Sequence, residues 1–216
     1  MRLAIADPPY LGQGARYEHL HDEAHRWDDP RAHLDLLRQL EATYDGWVLA
    51  THGHGLRILW ANAPEAARIG VWVKARRRAF PMTRVSWGHE FVIFRQPGGR
   101  RGAAYGKAEE PSMRKDVVLT GDTLFAAVPR SGGRILGEKP PAWTHWALAL
   151  LDYRPEDSVE DLFPGSGAVT DAIATYPHGR CPTCRSVLPS TARRDAVYCR
   201  NACRQAAHRK RASVRP

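Results

Sequence analysis

Short apolar runs alternate with stretches of helical period along most of this chain, and that alternation restricts its fold more than any other feature. The runs "LAIA", "GWVLATH" (46–52), "ARIGVWVKA" and "EFVIFRQ" (90–96) are rich in β-branched and aromatic residues and too short for helices. "DDPRAHLDLLRQLEATY" places Leu34, Leu37, Leu40 and Tyr44 on one helical face, with Asp28 or Asp29 as cap and Pro30 in the first turn. "GLRILWANAP" predicts a short helix stopped before Pro64, and "DVVLTGDTLFAAVPR" one or two short strands. "PPAWTHWALALLDYR" predicts an amphipathic helix through Trp143, Trp146, Ala147, Leu150 and Leu151. "DSVEDLF" then reads as a strand and "AVTDAIATY" as a helix. The expected fold is α/β, a mostly parallel sheet with helices on both faces. Ligands on such sheets gather outside the carboxyl ends of the strands.

Two turns stand at that end. In "LAIADPPYLG" an apolar strand stops at Asp7, because Pro8 and Pro9 donate no backbone hydrogen bond and fix φ. In "DLFPGSGAVTDAI" a strand ends at Asp161, Gly165 and Gly167 allow close backbone approach, and a helix begins. Alone, the second pattern fits a nucleotide or cofactor turn or a plain strand-to-helix turn. It is not a phosphate loop, since no Lys follows the second Gly. The polar stretch between Tyr10 and Arg31 is long for a plain connection. Residues 97–116 read as a mobile, Gly-rich, charged loop.

The two turns are far more specific together than apart. D-P-P-Y with D-x-F-x-G-S-G resembles the S-adenosylmethionine-dependent methyltransferases that modify the exocyclic amine of a DNA base. Catalytic motif first and cofactor motif last is the permuted order of the β-type DNA adenine methyltransferases, shared with the messenger-RNA adenosine N6-methyltransferases. "VWVKARRRAFPMTRVSWGHEFVIF" and "GEKPPAWTHWALALL" are similar to further elements of that family, so the resemblance spans about residues 3 to 175.

The resemblance implies a Rossmann-like methyltransferase domain over residues 1–176 that uses S-adenosylmethionine to methylate adenine N6 in DNA. It implies a catalytic motif of Asp7, Pro8, Pro9 and Tyr10. Asp7 and the Pro8 carbonyl would accept the two N–H bonds of the amine, whose lone pair is otherwise delocalised, and Tyr10 would stack on the flipped base. It implies cofactor contacts from Asp161, Phe163, Gly165, Ser166 and Gly167. Lys139 would lie near the methionine end of the cofactor or be a surface lysine. His89 and Glu90 would position the base or form a strand-edge pair. D-P-P-Y favours adenine N6, with RNA adenine and cytosine N4 as alternatives.

The chain departs from its relatives in one respect. They use a second strand after the Gly-rich turn, ending in an acid that binds the cofactor ribose. Here the helix runs to about Tyr176 and the tail follows. The sheet is therefore expected to be truncated on that side, with ribose contacts from the N-terminal loop or a partner chain. A degenerate, non-catalytic nucleic-acid-binding protein is the rival expectation.

The tail, 177–216, is a different kind of sequence. It holds all four cysteines, Cys181, Cys184, Cys199 and Cys203, as C-x2-C and C-x3-C separated by fourteen residues. That spacing suits tetrahedral zinc, and the absence of cysteine elsewhere argues against a disulfide framework. The tail also has ten basic residues and one acid, so the net charge of +9 resides there. It is either a polyanion-binding module or a solubilising surface. The candidate DNA contacts are Arg204, Arg209, Lys210 and Arg211 in the tail, with Arg76, Arg77 and Arg78 in the loop before the "EFVIFRQ" strand. No apolar run approaches the roughly 20 residues of a membrane span, and the expected setting is cytoplasmic.

Overall fold

A computed structural model of the chain describes residues 1–19, 21–74, 88–99, 121–128, 137–154, 156–176 and 201–212. The chain divides into two compact units, Met1–Arg100 with Gly121–Ala174, and Arg101–Thr120 with Thr175–Pro216. Among the described residues no helix is long and apolar enough to cross a membrane.

The first unit is a Rossmann-like α/β sheet of six strands, β1 (Arg2–Ala6), β2 (Gly46–Thr51), β3 (Arg68–Lys74), β4 (His89–Arg95), β5 (Thr123–Ala126) and β6 (Ser158–Asp161). Their order is β5-β3-β4-β2-β1-β6. The β1–β2, β1–β6 and β3–β5 pairings are parallel, and β4 is antiparallel to both its neighbours. Five strands thus run one way and β4 runs against them. β6 pairs with β1 alone among the described residues, so the sheet stops beside the Gly-rich turn.

Successive residues of each strand face opposite sides. On one side Ala4, Ala6, Trp47, Leu49 and Ile93 pack with Leu36, Leu37 and Leu40 of α1 (Pro30–Thr43) and Leu59 of α2 (Gly53–Trp60). On the other side α3 (Pro141–Leu150) sets Trp146 against Gly70 of β3. A Cβ on Gly70 would lie 2.9 Å from the Trp146 ring and from Val92, so only glycine seats that indole there. α4 (Ala168–Ala174) packs on α3. β2 is buried along its whole length, as a strand covered on both faces must be.

Two local expectations change and a third is narrowed to one residue. α3 is not amphipathic; Trp143, Thr144, Trp146, Ala147, Leu148 and Leu150 bury most of its circumference. The buried stripe of α1 is His33, Leu36, Leu37 and Leu40, with Leu34 at its margin, because the His33 ring Nε2 lies 2.8 Å from the Trp27 carbonyl oxygen. Asp29 caps α1 by accepting from the Arg31 N–H, while Asp28 accepts from Gly14 N–H and ties down the N-terminal loop. That loop forms two 3₁₀ turns, Gly14–Tyr17 and Ala24–Asp28.

In the second unit the described structure is chiefly α5 (Asn201–Ala212). Cys203 is buried on it, and Arg204 and Arg209 are exposed. Lys210 and Arg211 lie within its span. Cys181, Cys184, Cys199, Arg76, Arg77, Arg78 and most of the 97–116 loop lie outside the described residues.

Candidate active site

The two turns meet at one edge of the sheet. β1 and β6 are paired parallel with Ile5 opposite Asp161, and the Leu162 N–H donates to the Ile5 carbonyl at 3.0 Å. Asp7 therefore leaves β1 beside the point where the Gly-rich turn leaves β6.

Asp7 belongs to a buried polar cluster of five residues drawn from four stretches of the chain. The Lys139 ammonium is only 4% exposed and lies 2.9 Å from Asp7 Oδ1 and 3.4 Å from Glu90 Oε2. It also donates to the Tyr10 hydroxyl at 3.0 Å. That hydroxyl in turn donates to Glu90 Oε2 at 2.7 Å. Lys74, the last residue of β3, pairs with Glu90 Oε1 at 2.5 Å. Two carboxylates and two ammoniums balance one another, as a buried ionic cluster requires.

The electrostatics follow from this arrangement. Burial alone would push the Glu90 carboxyl up, but Lys139 and Lys74 outweigh it and hold the group at about 2. Burial likewise works against the Lys139 charge, yet Asp7 and Glu90 raise its pKa. Asp7 goes the other way. Burial raises its carboxyl, Lys139 opposes the rise, and the charges of Glu90 and Asp161 add to it. Burial, followed by the Glu90 charge, lifts the Tyr10 phenol well above its ordinary value.

Two acceptors at this site are open. Among the described residues nothing donates to Asp7 Oδ2 or to the Pro8 carbonyl. The Tyr10 ring is stacked on His52, with centroids 5.4 Å apart and planes at 22°. His52 ends the β2 edge and caps α2, its Nδ1 accepting from the Gly55 N–H at 3.4 Å. Tyr17 reaches the cluster from the N-terminal loop, and a Cβ on Gly137 (φ +92°) would lie 2.6 Å from its hydroxyl. Gly137 thus lets the loop close against the segment that carries Lys139.

The Gly-rich turn is built differently. Gly165 and Gly167 have φ of +43° and +81°, a region that costs other residues about 1–2 kcal/mol. A Cβ on Gly167 would meet nothing within 4 Å, so the backbone there is bare. Asp161 accepts from the Phe163 N–H at 3.3 Å and from the Thr170 hydroxyl at 2.8 Å, and so braces the turn. The Ser166 hydroxyl accepts from the Ala168 N–H at 3.4 Å. Phe163 stands edge-on to Trp27 at 5.0 Å, which brings the N-terminal loop against the turn.

The structure thus joins Asp7, Tyr10 and Lys139 in direct contact and sets the 161–167 turn beside them. It adds Lys74, Tyr17 and His52, which the sequence reading left without a role, and it makes Glu90 a central member rather than a strand-edge residue. The available signal was a charge at the mouth of each of two apolar strands, Lys74 ending "VWVK" and Glu90 opening "EFVIF". Among the described residues no group of three or more His, Cys, Asp or Glu is placed to hold a metal.

No protein-family profile and no curated protein matches the chain. Among solved structures it is similar to the M1.HpyAVI–SAM complex, with 18% identity, 81% of this chain and 77% of that one covered, and a TM-score of 0.44. It is also similar to a Thermus thermophilus protein described provisionally as a DNA modification methylase, with 15% identity, 82% and 77% covered, and a TM-score of 0.47. Likeness of this degree assigns neither a family nor an activity.

Proposed function

We propose that the chain is an S-adenosylmethionine-dependent methyltransferase acting on the N6 amine of adenine in DNA. One observation carries this reading. Asp7 with its open acceptors and the bare Gly165–Gly167 turn, far apart in sequence, leave the same edge of two paired parallel strands.

S-adenosylmethionine supplies the methyl group. The residues present fit it at the turn, where left-handed glycines leave backbone uncovered and Phe163 offers an apolar wall. Asp161 holds that turn in shape, and Ser166 caps the helix behind it. The Phe163–Trp27 contact supports the N-terminal loop as the segment that completes the cofactor's surroundings where the described residues place no strand beyond β6.

Asp7 Oδ2 and the Pro8 carbonyl accept the two amine N–H bonds, which leaves the nitrogen lone pair directed away from them. Pro8 and Pro9 fix the carbonyl's direction, so little reorganisation is needed as charge develops. Bound S-adenosylmethionine would supply a methyl group whose bond to sulfur breaks, with its electron pair kept by sulfur, as the bond to nitrogen forms, and Asp7 Oδ2, whose proton affinity burial has raised, would take the proton that the nitrogen then sheds. His52 covers one face of the Tyr10 ring, and the other face takes the base, which must leave the duplex to arrive.

For the second unit we propose a basic zinc module over 177–216, supported by the spacing of Cys181, Cys184, Cys199 and Cys203 and by the charge of the tail. Arg204 and Arg209, exposed on α5, are suited to phosphate contact, as are Lys210, Arg211 and Arg76, Arg77 and Arg78 by their charge. Metal analysis of the purified chain should return one zinc per molecule.

The test is transfer of labelled methyl to DNA and RNA, followed by mass spectrometry of the nucleosides. N6-methyladenine from DNA is expected. Label in RNA or on cytosine N4 would move the substrate, and no transfer together with no cofactor binding by calorimetry would end the reading. The termination of the sheet at β6 favours one rival, a non-catalytic nucleic-acid-binding protein. Under that rival Asp7→Ala leaves nucleic-acid binding unaltered.

A further inference from the structure

Lys139 was expected near the methionine end of the cofactor, where its charge would meet a carboxylate. Its surroundings point elsewhere. An ammonium has three protons, and three acceptors of this chain surround this one, Asp7 Oδ1 at 2.9 Å, the Tyr10 hydroxyl at 3.0 Å and Glu90 Oε2 at 3.4 Å. At 4% exposure nothing of it faces solvent. A cofactor carboxylate could take a proton only by displacing Asp7, Tyr10 or Glu90, and it would carry another negative charge into a cluster that is already balanced.

The contacts have a direction. Tyr10 donates to Glu90, so it accepts from Lys139, and the three groups close a ring of hydrogen bonds. Lys74 holds the other oxygen of Glu90, so that carboxylate cannot swing away. Lys139 in turn holds one oxygen of Asp7 and leaves the other open. A carboxylate clamped at Oδ1 presents Oδ2 in a single direction, and a phenol fixed at its hydroxyl presents its ring in a single plane.

Resting on the methyltransferase reading above, we propose that Lys139 is a positioning residue, which aims Asp7 Oδ2 and the Tyr10 ring at the target amine and base, with Glu90 and Lys74 as its support. It does not bind the cofactor.

The experiment compares Lys139→Met, Lys139→Arg and the double variant Lys139→Met with Glu90→Gln, in the full-length chain. The double variant removes one charge of each sign and so protects against simple loss of folding. Cofactor affinity, measured by calorimetry with S-adenosylmethionine, should stay within about threefold of the parent. The turnover number at saturating cofactor should fall about a hundredfold in the Met variants, and partly recover in Lys139→Arg. Cofactor affinity weakened tenfold or more, with turnover nearly unchanged at saturation, would overturn the proposal and make Lys139 a cofactor ligand.

A second measurement is independent of any activity. The Asp7 carboxyl carbon, followed by NMR, should titrate at least about one pH unit higher in Lys139→Met than in the parent, and return toward the parent in Lys139→Arg. An unmoved titration overturns the contact itself. If the parent neither binds cofactor nor transfers methyl while this titration moves as expected, the methyltransferase reading fails and the Lys139–Asp7 clamp stands.

Discussion

The site has two halves of opposite construction. At the β1 edge the working groups are buried, charged and bonded to one another across the fold, from Asp7 to Glu90 and Lys139. At the β6 edge the tip of the turn is exposed, and its side-chain hydrogen bonds among the described residues are local, through Asp161, Thr170 and the first residues of α4. The first half gets its geometry from distant elements and is rigid because a misplaced charge there is costly. The second gets its geometry from local backbone conformation and needs only two residues without side chains. One half is suited to holding a small group in a fixed direction, the other to admitting a larger molecule against bare backbone.

This contrast makes separate demands on variants. The largest effect is expected from Asp7→Asn, which keeps the shape but removes the charged acceptor. Methyl transfer should fall about 10³-fold while calorimetry finds cofactor affinity nearly unchanged. Equal losses in both would mean that the halves are not separable.

Next comes acid stability. Glu90 is held at about 2 in the fold against an ordinary 4.5, which corresponds to about 3 kcal/mol. Because the folded value is depressed, this stabilisation is present above the ordinary value and is lost as pH falls through the window between them. Urea midpoints of the parent should drop across that window, and those of Glu90→Gln should be flatter. Parallel profiles would remove Glu90 from the cluster.

A third variant addresses the other half. Gly167→Val forces a β-branched residue to φ +81° on a turn that is otherwise open. Cofactor binding should weaken about tenfold, with turnover at saturation close to the parent. A change in turnover alone would place the turn in the chemistry. The smallest effect is expected from Thr170→Val, which deletes one hydrogen bond to Asp161 and should lower stability by about 1 kcal/mol in urea melts without changing turnover.

The same contrast explains what could be read from sequence. Local devices were legible. Pro8 and Pro9 mark the end of β1, Gly165 and Gly167 mark the turn after β6, and Pro30 marks the start of α1, because proline and glycine act through their own backbone. The paired motifs place Asp7 and Asp161 at the carboxyl end of the sheet from sequence alone. What depends on distant partners was not legible. Lys139 and Tyr10 are 129 positions apart, and nothing in "GEKPPAW" shows that its lysine is buried. The reversed direction of β4 was hidden too, since an apolar run has the same pattern read from either end. For α3, the burial of both tryptophans depends on distant partners, Trp146 seated over Gly70 of β3 and Trp143 beside Lys139.

That reversal of β4 bears on how such a protein could diversify. β3 ends at Lys74 on the same edge where β4 begins with His89 and Glu90, and the Lys74–Glu90 pair joins the two points. The two strand ends therefore both lie at the mouth of the site. Lengthening a connection between two fixed strand ends adds only a few tenths of a kcal/mol. An ion pair that belongs to the buried cluster thus also serves as the base of a cassette, where new sequence can be inserted within reach of the reacting groups without disturbing the strands that hold them.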